Sequence, residues 1–247
     1  MHTPASVLLK IPLLVGILWA NRVTYTAPTP VVTSRATAIP SEAGYLTVNL
    51  RPPWVRKASK LVVRSVVTVE VLYLLAAALF PSVVARTSSS TIPRLSASKT
   101  CKGIGITPSF ALGWALLITG GFIRKACYRE MGKNFTFELT IRKEHSLVTS
   151  GPYSIVRHPA YTAVNMVVAG TILCLFGKGS MLLECGVLGT WAGKLFALAW
   201  LAELLSVPSI MVFSRVRTED AMLKKTFGQQ WDEWASRTPY ALLPWIY

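Results

Sequence analysis

Long apolar segments recur along the chain and are separated by polar stretches. The apolar runs lie at residues 5–20, 61–80, 107–123, 160–177 and 181–213. Because a helix needs roughly 20 apolar residues to cross a bilayer, these runs predict about five transmembrane helices. The last run contains Gly186, Gly189 and Pro208, so it fits either one tilted, kinked span or a tight hairpin.

Composition agrees with a membrane protein. Of the 247 residues, 52% are hydrophobic and 15% are charged, whereas typical soluble domains carry about 25% charged residues. The apolar segments continue through the whole chain instead of clustering in one half. The sequence therefore predicts an all-α integral membrane protein with a single domain over residues 1–247.

The first apolar run, residues 5–20, has two interpretations. Its short beginning and moderate apolar length fit a cleaved signal peptide. However, no A-x-A-like cleavage site follows, and the next residues are Asn21 and Arg22. These features favour a retained first span.

The charge balance limits the kinds of molecule that the chain can bind. Lys and Arg number 26 against 11 Asp and Glu, a formal charge of +15. The basic residues fall between the apolar runs and not in one patch, which indicates binding to anionic lipid headgroups and not to nucleic acid.

The four cysteines, Cys101, Cys127, Cys174 and Cys185, show no CxxC spacing and no nearby His partner. We therefore expect no metal site and no disulfide framework.

A few unusual residues interrupt the apolar runs. Arg64 and Glu70 are six positions apart and do not share a helix face well, so we expect Arg64 to reach the membrane surface and Glu70 to face the bundle. In the third run, Gly113, Gly120 and Gly121 would let another helix approach closely, although loose packing is the alternative.

Two polar blocks carry most of the chemistry. They are residues 124–159 and the tail after residue 213. If 181–213 crosses the membrane once, both blocks lie on one face, and their positive charge favours the cytoplasm. Residues 82–106 would then lie on the opposite face, and 26–60 would form a connector on the cytoplasmic face. Within the first block, 135–141 alternates as FTFELTI, which predicts a short extended piece.

The stretch GPYSIVRHPAY, residues 151–161, leads directly into the fourth apolar run. Pro152 and Pro159 restrict the backbone, so Arg157 and His158 lie on a stiff turn at the mouth of a helix. Such a turn can hold a cation and a ring against a ligand. The simpler alternative is that both residues only anchor the chain at the membrane surface.

The tail begins with RVRTED, in which Arg215 and Glu219 lie four positions apart and so share a helix face. An exposed salt bridge of little energetic value is one interpretation. Because Arg157 is expected on the same membrane face, a second interpretation is a ligand site. Two arginines can clamp a carboxylate through charge-assisted hydrogen bonds, and a glutamate can hold an amino group.

Two blocks of the chain resemble the isoprenylcysteine carboxyl methyltransferase family. The first, HSLVTSGPYSIVRHPAY, matches the family pattern H-x-L-V-x-x-G-P-Y-x-x-x-R-H-P-x-Y. The second, RVRTEDAMLKKTFGQQWDEW, matches R-x-x-x-E-E/D before L-x-x-x-F-G, with Asp220 where the family often has a second Glu. The resemblance covers about residues 105–240. It implies a catalytic core over 106–247 that is preceded by variable spans and loops over 1–105.

The resemblance also implies a reaction and its site. The reaction would be methyl transfer from S-adenosylmethionine to the C-terminal carboxylate of a prenylated protein, or of a prenylcysteine-like lipid acid, at the cytoplasmic face of the endoplasmic reticulum membrane. Arg215 would hold the substrate carboxylate with help from Arg157. The implied cofactor-binding residues are Glu138, His145, Ser146, Leu147, Val148, Tyr153, His158, Pro159, Ala160, Tyr161 and Glu219.

Three other functions stay open at this point. Membrane sterol reductases use a related R-H-x-x-Y turn with a nicotinamide cofactor. Phospholipid N-methyltransferases share S-adenosylmethionine but methylate an amine. A membrane scaffold without catalytic activity would use the turn for structure alone.

Overall fold

The computed structural model describes residues 8–26, 53–82, 101, 103–135, 146–210 and 214–246. Within these ranges the chain forms eight α-helices: α1 (Lys10–Tyr25), α2 (Pro53–Leu79), α3 (Pro108–Met131), α4 (Pro159–Phe176), α5 (Met181–Glu184), α6 (Trp191–Ile210), α7 (Val216–Phe227) and α8 (Gln229–Arg237). Short 3-10 turns occur at Gly132–Asn134, Gly151–Ser154 and Val187–Gly189. The described ranges contain no strand.

Four segments in the described part are long and apolar enough to cross a membrane. They are Lys57–Leu79, Pro108–Met131, Pro159–Glu184 and Trp191–Ile210. The protein is therefore an all-α integral membrane protein, as predicted. Helix α1 has 16 residues, somewhat fewer than a crossing usually needs. The expected total of about five spans stays a prediction.

Helices α3 and α4 form the centre of the bundle, and glycines bring their backbones together. A Cβ atom on Gly170 would lie 2.4 Å from the carbonyl oxygen of Gly113. A Cβ atom on Gly120 would lie 2.8 Å from another α4 carbonyl, and one on Gly121 would lie 2.7 Å from a tryptophan ring of α1. The sequence left close approach and loose packing both open, and the structure shows close approach.

Helix α1 is part of the buried core. Leu14, Ile17 and Ala20 are fully buried among side chains of the neighbouring helices. Lys10, which is also fully buried, forms an ion pair with Glu70 of α2, whose side chain is 1% exposed. The expectation that Glu70 faces the bundle is confirmed, while Arg64 on the same helix is exposed.

The end of the bundle where α3 begins is closed by loop contacts. The Gly105 amide donates to the Gly179 carbonyl at 3.2 Å, and Cys101 forms a disulfide with Cys185. The expectation of no disulfide was therefore wrong. The two cysteines are 84 residues apart in sequence, and they meet only because α3 and α4 run antiparallel.

Some helix boundaries differ from the predicted ones. Helix α2 begins at Pro53, inside the predicted connector, because proline is tolerated in the first turn of a helix. Helix α3 continues past the apolar run to Met131, since Arg124 is buried and bonded inside the protein. Of the possible extended piece at 135–141, all but Phe135 lies outside the described residues.

The region 181–213 contains one long helix, α6, with Pro208 in its last turn. Its described part is not a hairpin. Helix α4 leads away from the 151–161 turn, and α6 returns to it, because Arg157 near the start of α4 contacts Asp220 after the end of α6. The described parts of the two polar blocks thus meet at one end of the bundle, and their location on the cytoplasmic face stays a prediction.

Candidate functional site

The turn before α4 is held from several sides. Gly151 has a φ of +57°, which favours glycine, and Pro159 begins α4. The hydroxyl of Tyr153 donates to the Met131 sulfur at 2.8 Å. The indole of Trp234 donates to the Tyr153 carbonyl at 3.1 Å. The predicted stiff turn thus rests on α3 and on α8 as well as on its own prolines.

The tail after α8 runs along this turn. The Arg157 amide donates to the Tyr240 carbonyl at 2.9 Å, and the His158 amide donates to the Ala241 carbonyl at 2.8 Å. The Arg157 guanidinium also donates to the carbonyls of residues 238 and 239, at 3.1 and 2.5 Å. Because the acceptors are backbone carbonyls, this docking depends on the path of the tail and not on its side chains.

A charged network joins the turn to α7 through Asp220. The Nε and Nη2 atoms of Arg157 lie 3.3 and 3.2 Å from one oxygen of Asp220. The Nε2 atom of His158 lies 2.9 Å from the other oxygen. Burial would raise the pKa of Asp220, but hydrogen bonds and charge from His158 and Arg157 lower it overall. Arg157 and His158 therefore bind inside the protein and do not extend outward as surface anchors.

Tyr161 connects the predicted substrate and cofactor residues. The Nε atom of Arg215 donates to the Tyr161 hydroxyl at 2.7 Å, and this hydroxyl donates to Glu219. The His158 ring stacks on the Tyr161 ring with centroids 5.5 Å apart and planes 6° apart. A cation, an anion and two aromatic rings are thus collected at the first turn of α4.

An apolar cluster lies beside this group. It contains Leu147 and Val148, which pack against Tyr153, Ala160 and Trp234 among others. Burial raises the pKa of the Tyr153 hydroxyl, so this residue stays neutral at physiological pH. The cluster offers an apolar wall next to the charged residues.

The predicted site residues are placed as follows. Arg157, His158, Tyr161, Arg215 and Glu219 come together in one network. Two further residues, Pro159 and Ala160, are buried at the start of α4, whereas Ser146 is exposed. Glu138 and His145 lie outside the described residues.

Three parts of the candidate site were not predicted from the sequence. Asp220 had no assigned role, although it belongs to the RVRTED block. Arg124 donates to the Ala160 carbonyl at 3.0 Å, and it looks like an ordinary arginine at the end of an apolar run. Residues 238–242 carried no signal, because they act through main-chain carbonyls.

Comparison with known proteins shows a similarity in the same part of the chain. A statistical model of the Isoprenylcysteine carboxyl methyltransferase (ICMT) family matches residues 113–196, which include the turn and α4. Protein-S-isoprenylcysteine O-methyltransferase B of Arabidopsis thaliana is 30% identical over 129 residues, which are 51% of this chain and 55% of the relative. Over residues 113–196 the chain is therefore similar to the isoprenylcysteine carboxyl methyltransferase family.

Other relatives are more varied. Protein-S-isoprenylcysteine O-methyltransferase of Schizosaccharomyces pombe is 30% identical over 52% of this chain and 46% of its own length. Cobalt-zinc-cadmium resistance protein CzcN of Cupriavidus metallidurans is 36% identical over 40% of this chain and 36% of its own length. The chain spans about half the length, or less, of these three curated relatives.

Changing Asp220 to Asn should destabilise the folded protein. The substitution keeps the side-chain shape but removes the charge that Arg157 and His158 face, and a hydrogen bond to a charged group is worth about 1.5 to 3 kcal/mol when well buried. Since the Arg157 and Asp220 side chains are 15% and 17% exposed, we expect the lower part of this range, which is a fall in Tm of several degrees. Thermal unfolding in detergent measures it.

Asp232 provides a matched control, because it pairs with Lys224 in the same tail but both side chains are more than half exposed. Asp232→Asn should change Tm little, and equal Tm values for the two variants would remove the special role of Asp220. The lowered pKa of Asp220 means that its contribution is present above its ordinary pKa of 3.8 and is lost as the pH falls through the folded value. The free energy of unfolding of the Asp220→Asn variant should therefore change less with pH in the acidic range than that of the parent.

Proposed function

We propose that this protein transfers a methyl group from S-adenosylmethionine to the C-terminal carboxylate of a prenylated cysteine. The observation that carries the proposal is the meeting of Arg215 and Glu219 at the Tyr161 hydroxyl. In this proposal the Arg215 cation serves a substrate carboxylate, and the nearby Glu219 anion serves an ammonium group. The family and the printed names of the plant and yeast relatives support the same reaction.

Arg215 is proposed to hold the substrate carboxylate. Its guanidinium can form two parallel hydrogen bonds with a carboxylate, which fixes direction as well as position. Arg157 is proposed to assist from behind, because its guanidinium already binds Asp220 and the carbonyls of residues 238 and 239. By holding α7 and the tail, Arg157 would keep Arg215 next to Tyr161.

The donor set fits S-adenosylmethionine. Glu219 is a partly exposed carboxylate, 24% accessible, that suits the ammonium of the cofactor. Leu147, Val148 and Tyr153 offer an apolar surface for the adenine ring. We assign the remaining contacts to the other cofactor-binding residues of the resemblance: Glu138, His145, Ser146, His158, Pro159, Ala160 and Tyr161.

The proposed reaction asks this chain mainly for positioning. When bound, the cofactor supplies a methyl group that is already activated. A carboxylate is already nucleophilic at neutral pH, so no general base is required. The residues would align the two reactants and exclude water. A lipidated substrate could reach Arg215 from within the bilayer, which explains a membrane location. We propose that this membrane is the endoplasmic reticulum and that the site faces the cytoplasm.

The test is methyl transfer from tritiated S-adenosylmethionine to a farnesylated cysteine analogue by the purified protein. The expected product is a base-labile methyl ester. An analogue with a carboxamide in place of the carboxylate is the matched control and should accept no methyl group. A base-stable methylated amine, or binding of NADPH without binding of S-adenosylmethionine, would replace the proposal with one of its rivals.

Changing Glu219 to Gln should weaken S-adenosylmethionine binding more than substrate binding. The variant keeps the shape of the side chain but loses the charge opposite the ammonium, and a charge-assisted hydrogen bond is worth about 1.5 to 3 kcal/mol. Isothermal titration should show a Kd increase of roughly tenfold or more. Glu233→Gln, an exposed change in α8, should leave the Kd unchanged. Equal Kd values for Glu219→Gln and the parent would favour a purely structural role.

Both polar blocks should face the cytoplasm. Cysteines introduced at positions 133 and 229 should react with an impermeant maleimide from the cytoplasmic side of sealed vesicles. Cys127 and Cys174 are free and buried, so they are replaced in the background. The Cys101–Cys185 disulfide can be kept and compared with a version lacking all four cysteines. Labelling of the two positions from opposite sides would rule out a shared site on one face.

A further inference from the structure

The end of the tail presents a compact apolar surface. Leu243, Trp245 and Ile246 are 46%, 85% and 79% exposed. The Ile246 amide donates to the Leu243 carbonyl at 3.2 Å, so the three side chains come from a single turn, residues 243–246. Scattered exposed apolar residues are ordinary, but three on one turn indicate a surface that contacts a membrane or another molecule.

This apolar turn is fixed next to the start of a membrane span. The Thr162 hydroxyl in the first turn of α4 donates to the Leu242 carbonyl at 2.6 Å. Ala241 and Leu242 are buried against Tyr161 and Val216. Because α4 begins the candidate span Pro159–Glu184, residues that follow Leu242 directly lie at the level where the chain enters the membrane.

The residues around the apolar turn suit the boundary between water and lipid. Ile155 is 62% exposed as well, and it precedes by two residues Arg157, whose amide binds the tail. Trp245 has a φ of +63°, a conformation that bulky residues rarely adopt. Its ring lies 6.5 Å from the Tyr240 ring. Tryptophan and tyrosine are enriched at the headgroup level of membranes, since each combines an apolar body with a polar group.

We propose that the 243–246 turn seats in the headgroup region of the bilayer and so holds the tail over Tyr161. The occupant of this apolar surface is lipid, because the turn continues from a bundle that already spans the membrane. The hydrogen bonds from Arg157, His158 and Thr162 to the tail couple this seating to the site. One side of the tail thus contacts the site, and the other side lies in the bilayer.

The depth of the turn can be measured with a nitroxide label at positions 243, 245 and 246, one at a time, in proteoliposomes. Collisions with oxygen should exceed those with a water-soluble nickel complex at all three positions. Position 198, an exposed leucine on α6, is the control inside the membrane, and position 230, exposed on α8, is the control in water. Collision ratios like those of position 230 would overturn the proposal and leave a protein partner as the occupant.

Coupling to the site is tested by hydrogen exchange in nanodiscs. The triple variant L243S/W245S/I246S should exchange the amides of Arg157 and His158 about threefold faster or more, because those amides donate to the tail. Trp191→Ser removes an equally exposed aromatic at the opposite end of the bundle and should leave this exchange unchanged. Unchanged exchange in the triple variant would overturn the proposed coupling between the 243–246 turn and the site. Neither measurement depends on methyl transfer.

Discussion

Replacing Arg215 with Ala should abolish methyl transfer while S-adenosylmethionine binding stays close to normal. The Nε atom of Arg215 donates to Tyr161 at 2.7 Å, which places the guanidinium beside Glu219 without making it part of the proposed cofactor contacts. Loss of a charge-assisted bond to the substrate carboxylate costs about 1.5 to 3 kcal/mol. That alone lowers kcat/KM roughly tenfold to a hundredfold, and misorientation of the carboxylate adds to it.

Two further variants sharpen this test. Arg215→Lys keeps the charge but loses the planar two-bond geometry, so its activity should lie between those of the parent and Arg215→Ala. Arg217→Ala removes an exposed arginine from the first turn of α7, two positions after Arg215, and should be close to the parent. Unchanged turnover of Arg215→Ala in detergent-purified protein would refute the assigned role.

Replacing Lys10 with Met should strongly destabilise the bundle. Lys10 and Glu70 are 0% and 1% exposed, and Lys10 also donates to the Gly179 carbonyl at 2.7 Å. The substitution leaves the Glu70 carboxylate buried without its partner. Removing one member of a buried ion pair typically costs about 3 to 5 kcal/mol. Unfolding in detergent, followed by circular dichroism, should show this as a large drop in stability.

The double variant Lys10→Met/Glu70→Leu decides whether the cost arises from the unpaired charge. Apolar replacement of both members often restores stability, so the double variant should be more stable than Lys10→Met alone. Arg64→Met, on the exposed side of α2, is the control and should have little effect. A double variant as unstable as Lys10→Met would show that Lys10 stabilises the bundle through packing or through its contact with Gly179, and not through the ion pair.

Much of the fold could be predicted from the sequence, because membrane helices are specified by local composition. Apolar runs long enough to cross a bilayer predict α2, α3, α4 and α6 to within several residues at most ends. The glycines of α3 permitted close helix contact without deciding it, since a missing side chain allows two backbones to approach. The turn residues Arg157 and His158 were found for a related local reason: two prolines restrict their backbone.

The sequence also predicted that Arg215, Glu219 and Tyr161 belong to one site, but it could not predict how they are connected. Only the antiparallel packing of α4 and α6 brings the Tyr161 hydroxyl between Arg215 and Glu219. The same packing turns Arg157 toward Asp220, which changes its proposed role from a direct ligand to a support.

The sequence by itself therefore determined where the long apolar helices lie and which residue types gather at the start of α4, since both follow from short stretches. The tertiary structure decided the long-range pairs: Cys101 with Cys185 and Lys10 with Glu70. It also decided the docking of residues 238–242 on the turn, which uses backbone carbonyls that every sequence possesses. These contacts join residues far apart in the chain, and their partners become neighbours only when the helices pack.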